Sequence, residues 1–490
     1  MNKILLILFI TCLTTLAQNN QKVVRLSAEK EAWLEGDQKT VLDILLQKEA
    51  TGNLDIATLY NIGYLYLLQG NYSRALLYLQ TVVVREPSYP YPYLQIARIH
   101  EKIGNLYAAR DHLVKGVNED SDSIELLLEL ARISEAIGET DKAAEIYEQI
   151  LDLEEDNVKA IVGLASIYRR QKKYEAAKEL LEKNDAIFPE AVILLEKARL
   201  YRALDDKTKS QQFLTQILLD YPHSQKWAHI RDTLRIEYQV NEIPKPSPLP
   251  TYTYQINPKE TLHYKVSYGP MMLGWLKIRI AEPETIAGKV VYPTLFFVDT
   301  NPSYGFILSL HHIYESYIEP ATMNAVKTRL YTPGDDNVLV KVYYYNYDKN
   351  IFTAYIVHAD GRFNHLTKDL PRKIQDSTSM LFFARGLVSD KLSGTTTVVI
   401  DEEFKYGHIK FLNQKEEISI GDKNFNTLKI FARADFEGVA GMNGDAWGWF
   451  ATDEQAKPLK GAIEIIVGSI TVEVDEDETV IPNFHEENSD

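Results

Sequence analysis

Over the first half of the chain the apolar residues fall three and four apart, and the whole pattern repeats every 34 residues. Ala75, Ala109, Ala143 and Ala177 mark the repeat. Gly63, Ala97, Ala131 and Ala165 precede them by twelve positions, and Leu79, Leu113, Tyr147 and Leu181 follow by four. Small residues at such fixed points let two antiparallel helices approach closely, and the larger ones fill the space between neighbouring pairs. The units run 56–89, 90–123, 124–157 and 158–191, with Pro87 and Pro189 where a helix has to stop. A fifth unit follows one residue out of step, matched by Ala198, Tyr201, Ser210, Leu214 and Pro222, and 224–239 reads as an amphipathic closing helix. Residues 27–50 have helical spacing too, in Trp33, Leu34, Val41, Leu42, Leu45 and Leu46. They fit the template poorly, which predicts an N-terminal cap.

After a segment with five prolines, 241–258, the period changes to two. Leu262, Tyr264, Val266 and Tyr268 alternate with polar residues, and similar runs recur as far as 469–475. Turn residues such as Gly269-Pro270 and Asp360-Gly361 separate them. This predicts an all-β domain with one short helix, a large antiparallel sheet curved into a sandwich or half-barrel. The helix is expected after Asp376, Ser377 and Ser379, which can cap its start, with Gly386 placed to end it.

The helical pattern resembles the tetratricopeptide repeat, and four units in register cover 56–191. That resemblance implies an array that binds a protein along its concave surface and does no chemistry. The second half is similar to a bacterial exported family, DUF3108, a domain of unknown function. The likeness is carried by Tyr264-x-Val266-x-Tyr268-Gly269 with Gly274-Trp275-Leu276, by Asp376 to Arg385, and by Trp449 to Asp453 with Pro458 and Gly468-Ser469-Ile470. It implies the fold of the periplasmic lipoprotein carriers, a strongly curved sheet closed by helices over an apolar hollow. No activity comes with it.

The ends refine this picture. Lys3, the apolar run Ile4–Leu16 and the small residue Ala17 form an expected signal peptide, 1–17, cleaved after Ala17. Lipidation at Cys12, the only cysteine, is a minor alternative, because Phe9-Ile10-Thr11 lacks the small residue usual before an acylated cysteine. Without Cys12 the mature chain holds no thiol, which excludes disulfides and fits a periplasmic or secreted location. No later segment approaches twenty apolar residues, so no transmembrane span is expected. A net charge of −16 argues against a nucleic-acid partner. The expected division is signal peptide 1–17, helical cap 18–55, repeats and closing helix 56–240, linker 241–258, β-domain 259–475 and acidic tail 476–490. The change of period at the linker predicts two halves that fold independently.

Motifs for catalysis are missing. There is no Gly-x-Ser-x-Gly elbow, no His-Glu-x-x-His and no phosphate-cradling Gly-Lys-Ser/Thr loop. His311 and His312 are adjacent on a predicted strand, so they face opposite ways and cannot readily share a metal. The expectation is a non-enzyme with no cofactor and no metal. Asp376 is expected to cap its helix, and Arg385 to pair with an acid that locks the helix on the sheet.

Two candidate sites remain. Superposing the repeats puts Tyr60, Tyr64, Arg98, Arg132, Ser166 and Arg169 on the concave surface, beside a stiff aromatic edge at Tyr89-Pro90-Tyr91-Pro92-Tyr93. Aromatic and arginine side chains often carry binding energy, so an extended or acidic peptide is expected there. The competing reading pairs Arg98 with Glu101 and Arg132 with Glu135 along their own helices. The second candidate is the glycine-rich stretch 438–448, a flap with Met442 and Trp447 at its tip that would cover a lipid or amphipathic ligand in the hollow. Its competing reading is a hairpin connection with Trp447 in the core. Two broader alternatives stand beside the carrier: a pure scaffold with a solid β core, and an enzyme with dispersed residues.

Overall fold

Six antiparallel helix pairs follow one another from Ala28 to Asp220 in the computed structural model. The structure describes residues 26–475 except 53, 184–190, 222–226, 241, 244–251, 287, 305–310, 333–337, 372–373, 401, 435–443, 454–455 and 465–468. The pairs are α1 (Ala28–Leu34) with α2 (Gln38–Ala50), α3 (Ile56–Leu68) with α4 (Tyr72–Arg85), and α5 (Tyr91–Lys102) with α6 (Leu106–Glu119). Then come α7 (Ile124–Ala136) with α8 (Thr140–Leu153), α9 (Val158–Arg170) with α10 (Tyr174–Lys183), and α11 (Ala191–Ala203) with α12 (Lys207–Asp220). A single helix, α13 (Ala228–Ile236), closes the array.

The packing follows the small residues. Ala75, Ala109, Ala143 and Ala177 are fully buried. A Cβ on Gly63 would stand 2.8 Å from Leu79 Cγ, so the glycine is what lets α3 and α4 meet. Each pair turns through one joint: Gly36, Gly70, Gly104 and Gly138 have φ of 78°, 73°, 81° and 89°, the left-handed conformation that ends a helix. Lys172 and Asp205 adopt it at 62° in the last two pairs.

Gly36 lies 34 residues before Gly70 and makes the same turn. The pair α1–α2 is therefore a repeat unit in register with the others, which corrects the reading of 27–50 as a cap. Its apolar residues fit the template poorly because several face the second half of the chain.

That half is one sheet of sixteen strands: β1 (Thr261–Tyr268), β2 (Met271–Ile280), β3 (Glu284–Ile286), β4 (Lys289–Thr300), β5 (His311–Glu319), β6 (Asn324–Tyr331), β7 (Val338–Asn346) and β8 (Ile351–His358). The rest are β9 (Phe363–Asp369), β10 (Ile374–Gln375), β11 (Gly394–Ile400), β12 (Glu403–Ile420), β13 (Lys423–Ala434), β14 (Gly444–Ala451), β15 (Pro458–Glu464) and β16 (Ser469–Val474). Fifteen strands run in the order β10-β11-β12-β13-β14-β15-β16-β1-β2-β4-β5-β6-β7-β8-β9, and β3 pairs with β4. All neighbours are antiparallel except β10 with β11, and the sheet is not closed into a barrel.

The helix α14 (Ser379–Ser389) lies inside the curve. Asp376 Oδ1 accepts from the N–H of Thr378 and Ser379 at 3.0 and 2.6 Å, while Ser379 Oγ accepts from the Asp376 N–H at 2.9 Å. This is a reciprocal helix cap. Asp376 Oδ2 also accepts from the hydroxyls of Ser316 and Thr328, which ties the cap to β5 and β6. Arg385 points inward, makes a two-pronged pair with Glu260 at 2.7 and 3.1 Å, and lies over the Tyr254 ring at 4.6 Å. The expected roles of Asp376 and Arg385 hold. Gly386 does not end the helix: it lies within it, and its missing side chain makes room for the Tyr252 ring, 2.7 Å from where a Cβ would be.

Two features depart from the expected division. Tyr254 and Ile256, placed in the linker 241–258, are buried in the β core against Tyr264 and Phe382. The second feature joins the halves: β7 and β8 are covered on both faces. Tyr343, Tyr345, Phe352 and Ala354 face the inside of the sheet, and Val340, Val342 and Val357 face the repeats, in one core with Trp33, Tyr60, Tyr64 and Leu65. A strand pair buried on both sides needs a partner layer, and the first repeat pairs supply it.

Candidate functional site

The concave face of the array is divided between two uses. Its first part clasps the sheet. Trp33 is fully buried, stacked on Phe363 at 5.1 Å and edge-on to Tyr355 at 5.5 Å, and its Nε1 donates to the Ile356 carbonyl at 3.0 Å. Tyr64 Oη meets His365 Nδ1 at 2.9 Å. Asn61 Nδ2 donates to the Gly361 carbonyl, and Asn61 Oδ1 accepts from the Phe363 N–H, both at 2.9 Å. Tyr89 Oη donates to Asp360 at 2.9 Å, and the Arg362 guanidinium sits 3.4 Å from the Tyr91 ring centre. Arg329 with Glu31 and Lys327 with Glu35, each at 2.9 Å, close the rim.

Tyr60 and Tyr64 therefore do not lie open in a groove. They are 1 % and 3 % exposed, covered by the chain's own β8–β9 turn. Burial pushes the Tyr60 hydroxyl up to about 12 and raises Tyr64 further. The aromatic edge of Tyr89 and Tyr91 belongs to the same contact. Sequence superposition located the concave face and could not show that another part of the chain occupies it.

The three groove arginines form a ladder across the repeats. Arg98 reaches Glu125 at 3.2 Å and Glu129 at 3.4 Å, Arg132 grips Glu101 with two bonds of 2.7 Å, and Arg169 bonds Glu196 at 2.6 Å. These pairs bridge neighbouring units, and Arg132 also holds Glu129 of its own helix at 2.8 Å; the competing reading, with Arg98 on Glu101 and Arg132 on Glu135, named other partners. First helices of neighbouring units lie side by side, so a long side chain reaches across to the neighbouring unit. An arginine already matched to a glutamate offers little to an acidic peptide.

The second part of the concave face is open. Between α7, α9 and α11 on one side and β9 and the start of β12 on the other lies a cleft of about 510 Å³. Its helical wall carries an apolar patch of Ile124, Leu128, Val158 and Val192 among charged residues, and Tyr221 and Trp227 line it as well. The β wall brings Thr367, Lys368 and Phe404. The charged lining is five acids, Glu125, Glu154, Asp156, Asp369 and Glu403, against three lysines, Lys159, Lys368 and Lys405. Lys405 bonds Asp156 across the cleft at 2.7 Å, and Lys368 bonds Glu403 at 2.8 Å.

The expected flap is not where the cleft is. Met442 lies outside the described residues. Trp447 belongs to β14, opposite Phe431 and Ala462, half-buried, with its ring 5.7 Å from that of Phe431. Residues 444–448, expected as mobile loop, are strand. Gly448 is used there for close packing, since a Cβ would stand 2.8 Å from Phe450. The concave side of the sheet is filled by α14, Tyr254 and Phe382, and the space beside α14 lined by Tyr252 and Phe383 measures about 110 Å³. Among the described residues no group of three or more His, Cys, Asp or Glu could hold a metal, and no helix is long and apolar enough to cross a membrane.

His365 gives the clasp a pH dependence. Burial and the nearby Arg98 hold its pKa below the ordinary value of 6.5. Above that value histidine is neutral folded or unfolded and adds no pH dependence. Below it the unfolded chain takes up a proton that the clasp resists, so stability falls as pH drops. His112, lowered by burial and by His100 stacked 5.3 Å away, acts in the same direction. His365→Gln should therefore lose less stability than the native chain between pH 7 and 5. Denaturant midpoints across that range check this, and parallel curves would rule it out.

Residues 263–475 match the family model described as protein of unknown function, DUF3108. The C-terminal half is a DUF3108 domain. Tetratricopeptide repeat models match 57–89, 136–192 and 193–224, in line with α3–α4 and α8–α12. No curated protein matches the chain. Among solved structures, a tetratricopeptide repeat protein from Parabacteroides merdae is 16 % identical with a TM-score of 0.33, covering 42 % of this chain and 80 % of its own. PilF of Pseudomonas aeruginosa is 12 % identical with a TM-score of 0.35, covering 42 % and 97 %. MamA of Desulfovibrio magneticus is 20 % identical with a TM-score of 0.31, covering 34 % and 94 %. Such scores carry no argument about function.

Proposed function

We propose that this protein is an exported, non-enzymatic scaffold in which the repeats hold the DUF3108 domain and offer the remaining concave surface to a protein partner. One observation carries the reading: the first part of the concave face is filled by the chain's own sheet, while the rest opens on a cleft of about 510 Å³ with an apolar patch. Small-molecule sites typically enclose roughly 300–1,000 Å³, and the space of about 110 Å³ beside α14 is well below that. So small a space beside α14 speaks against a lipid held under the sheet. The export part of the proposal rests on the signal-peptide pattern of residues 1–17, which fits a periplasmic or secreted protein.

Leu128→Asp and Val192→Asp put charge on the apolar patch. Both should abolish cross-linking to the native partner in envelope extracts, while Arg132→Ala, in the ladder, should leave it unchanged. Loss of capture with Arg132→Ala alone would return the binding surface to the ladder. Mass spectrometry of the mature chain tests export, with Gln18 as the expected first residue.

A further inference from the structure

We infer that the cleft receives its partner by strand addition: an extended polypeptide pairs its backbone with the edge of β9. This rests on the cleft being the docking site. Among the described residues β9 ends the path of the sheet and is bonded to β8 on one side. The Arg362 carbonyl accepts from the His358 N–H, and the Leu370 N–H donates to the Asn350 carbonyl, so the even-numbered residues spend their backbone groups on β8. The odd-numbered residues, 363, 365 and 367, turn theirs outward.

The first outward group is already paired, and in an informative way. One side-chain amide, that of Asn61, donates to the Gly361 carbonyl and accepts from the Phe363 N–H. That is what one residue of a neighbouring parallel strand would do with its own N–H and C=O. The array thus begins an added strand with a side chain. Four residues on, the edge leaves α3 and enters the cleft at Thr367, which is exposed and lines it. The docking surface is continuous with the interface that the molecule already makes.

The two walls say what kind of segment fits. Added strands gain affinity from main-chain bonds and specificity from alternate side chains. On one side the guest's alternate residues face Ile124, Leu128, Val158 and Val192, which suits aliphatic groups. The lining acids outnumber the lysines by two, five against three, so the guest carries positive rather than negative charge. An extended segment of alternating aliphatic and polar residues with flanking lysines meets both conditions. An acidic peptide does not.

The probe is a fluorescein-labelled octapeptide of alternating threonine and valine with a lysine at each end, titrated into the full chain by fluorescence anisotropy. Its twin carries N-methyl groups on alternate amides, which deletes the strand donors and keeps every side chain. Thr367→Pro removes the outward N–H without touching the β8 ladder, a place where a sheet edge tolerates proline. The native chain is expected to bind the probe. The twin and Thr367→Pro should each bind at least about fivefold more weakly, the worth of one hydrogen bond.

Leu128→Asp separates this inference from the cleft reading. If Leu128→Asp abolishes binding while the twin and Thr367→Pro match the native values, the cleft stands and strand addition is overturned. Absence of binding to the native chain also overturns it, because main-chain pairing should accept a generic sequence. Concentration-dependent dimers that vanish with Thr367→Pro would make the occupant a second copy, again against the proposal. Should Thr367→Pro fail to fold, the twin alone decides.

Discussion

Replacing Trp33 by alanine should lower the stability of the whole chain by about 3–5 kcal/mol, the usual cost of deleting a large buried aromatic. Trp33 is the largest fully buried side chain among the described residues, and its contacts are divided between the halves. Its ring lies against Phe363 and Tyr355, and its Nε1 is the donor to the Ile356 carbonyl. The variant loses that packing and the side-chain donor to the Ile356 carbonyl. Because Val340, Val342 and Val357 share the core of the first repeats, both halves of the native protein should unfold in one transition. Chemical denaturation followed by far-ultraviolet circular dichroism and tryptophan fluorescence measures both effects. Two separate transitions in the native chain, with Trp33→Ala moving only the first, would show that the halves do not support one another. It would restore the independent folding expected from the change of period.

Arg385→Ala should cost about 3–5 kcal/mol as well, by a different route. Arg385 is fully buried and forms its pair with Glu260, which is itself 12 % exposed. Burial opposes the arginine's charge, but Glu260 and the rings of Tyr254 and Tyr264 outweigh it, so its pKa is raised and the ion persists. Removing one partner of a buried pair strands the other, and that penalty exceeds what the pair itself contributes. Arg385→Ala leaves the Glu260 carboxylate without the two guanidinium donors that now satisfy it. The double replacement of Arg385 and Glu260 by methionine and leucine should be milder than Arg385→Ala alone. Denaturant titrations of the three proteins provide the comparison. A double variant no better than the single one would mean that α14 is held by apolar contacts of Phe382 and Leu387 and not by the ion pair.

The sequence alone determined the repeats, because their packing is local. Gly63 meets Leu79 and Ala75 meets its own unit, so the period of 34 records contacts made within a few dozen residues. Gly36 carried that period one unit further back than the apolar pattern suggested. The alternation after 261 likewise gave the strands, and the Asp376 cap is written in adjacent residues. What lines the concave face was decided only by tertiary structure. Tyr64 and His365 are separated by 301 positions, Trp33 and Ile356 by 323, and no period relates them. One local sign did exist. In β7 (Val338–Asn346) valine and tyrosine occupy both parities, as does a strand covered on both faces, and such a strand needs a second layer. The identity of that layer, and the cleft left where it ends, follow from how far the array reaches across a curved sheet. That is set by the three-dimensional sum of many small packing angles, which no single residue of the chain encodes.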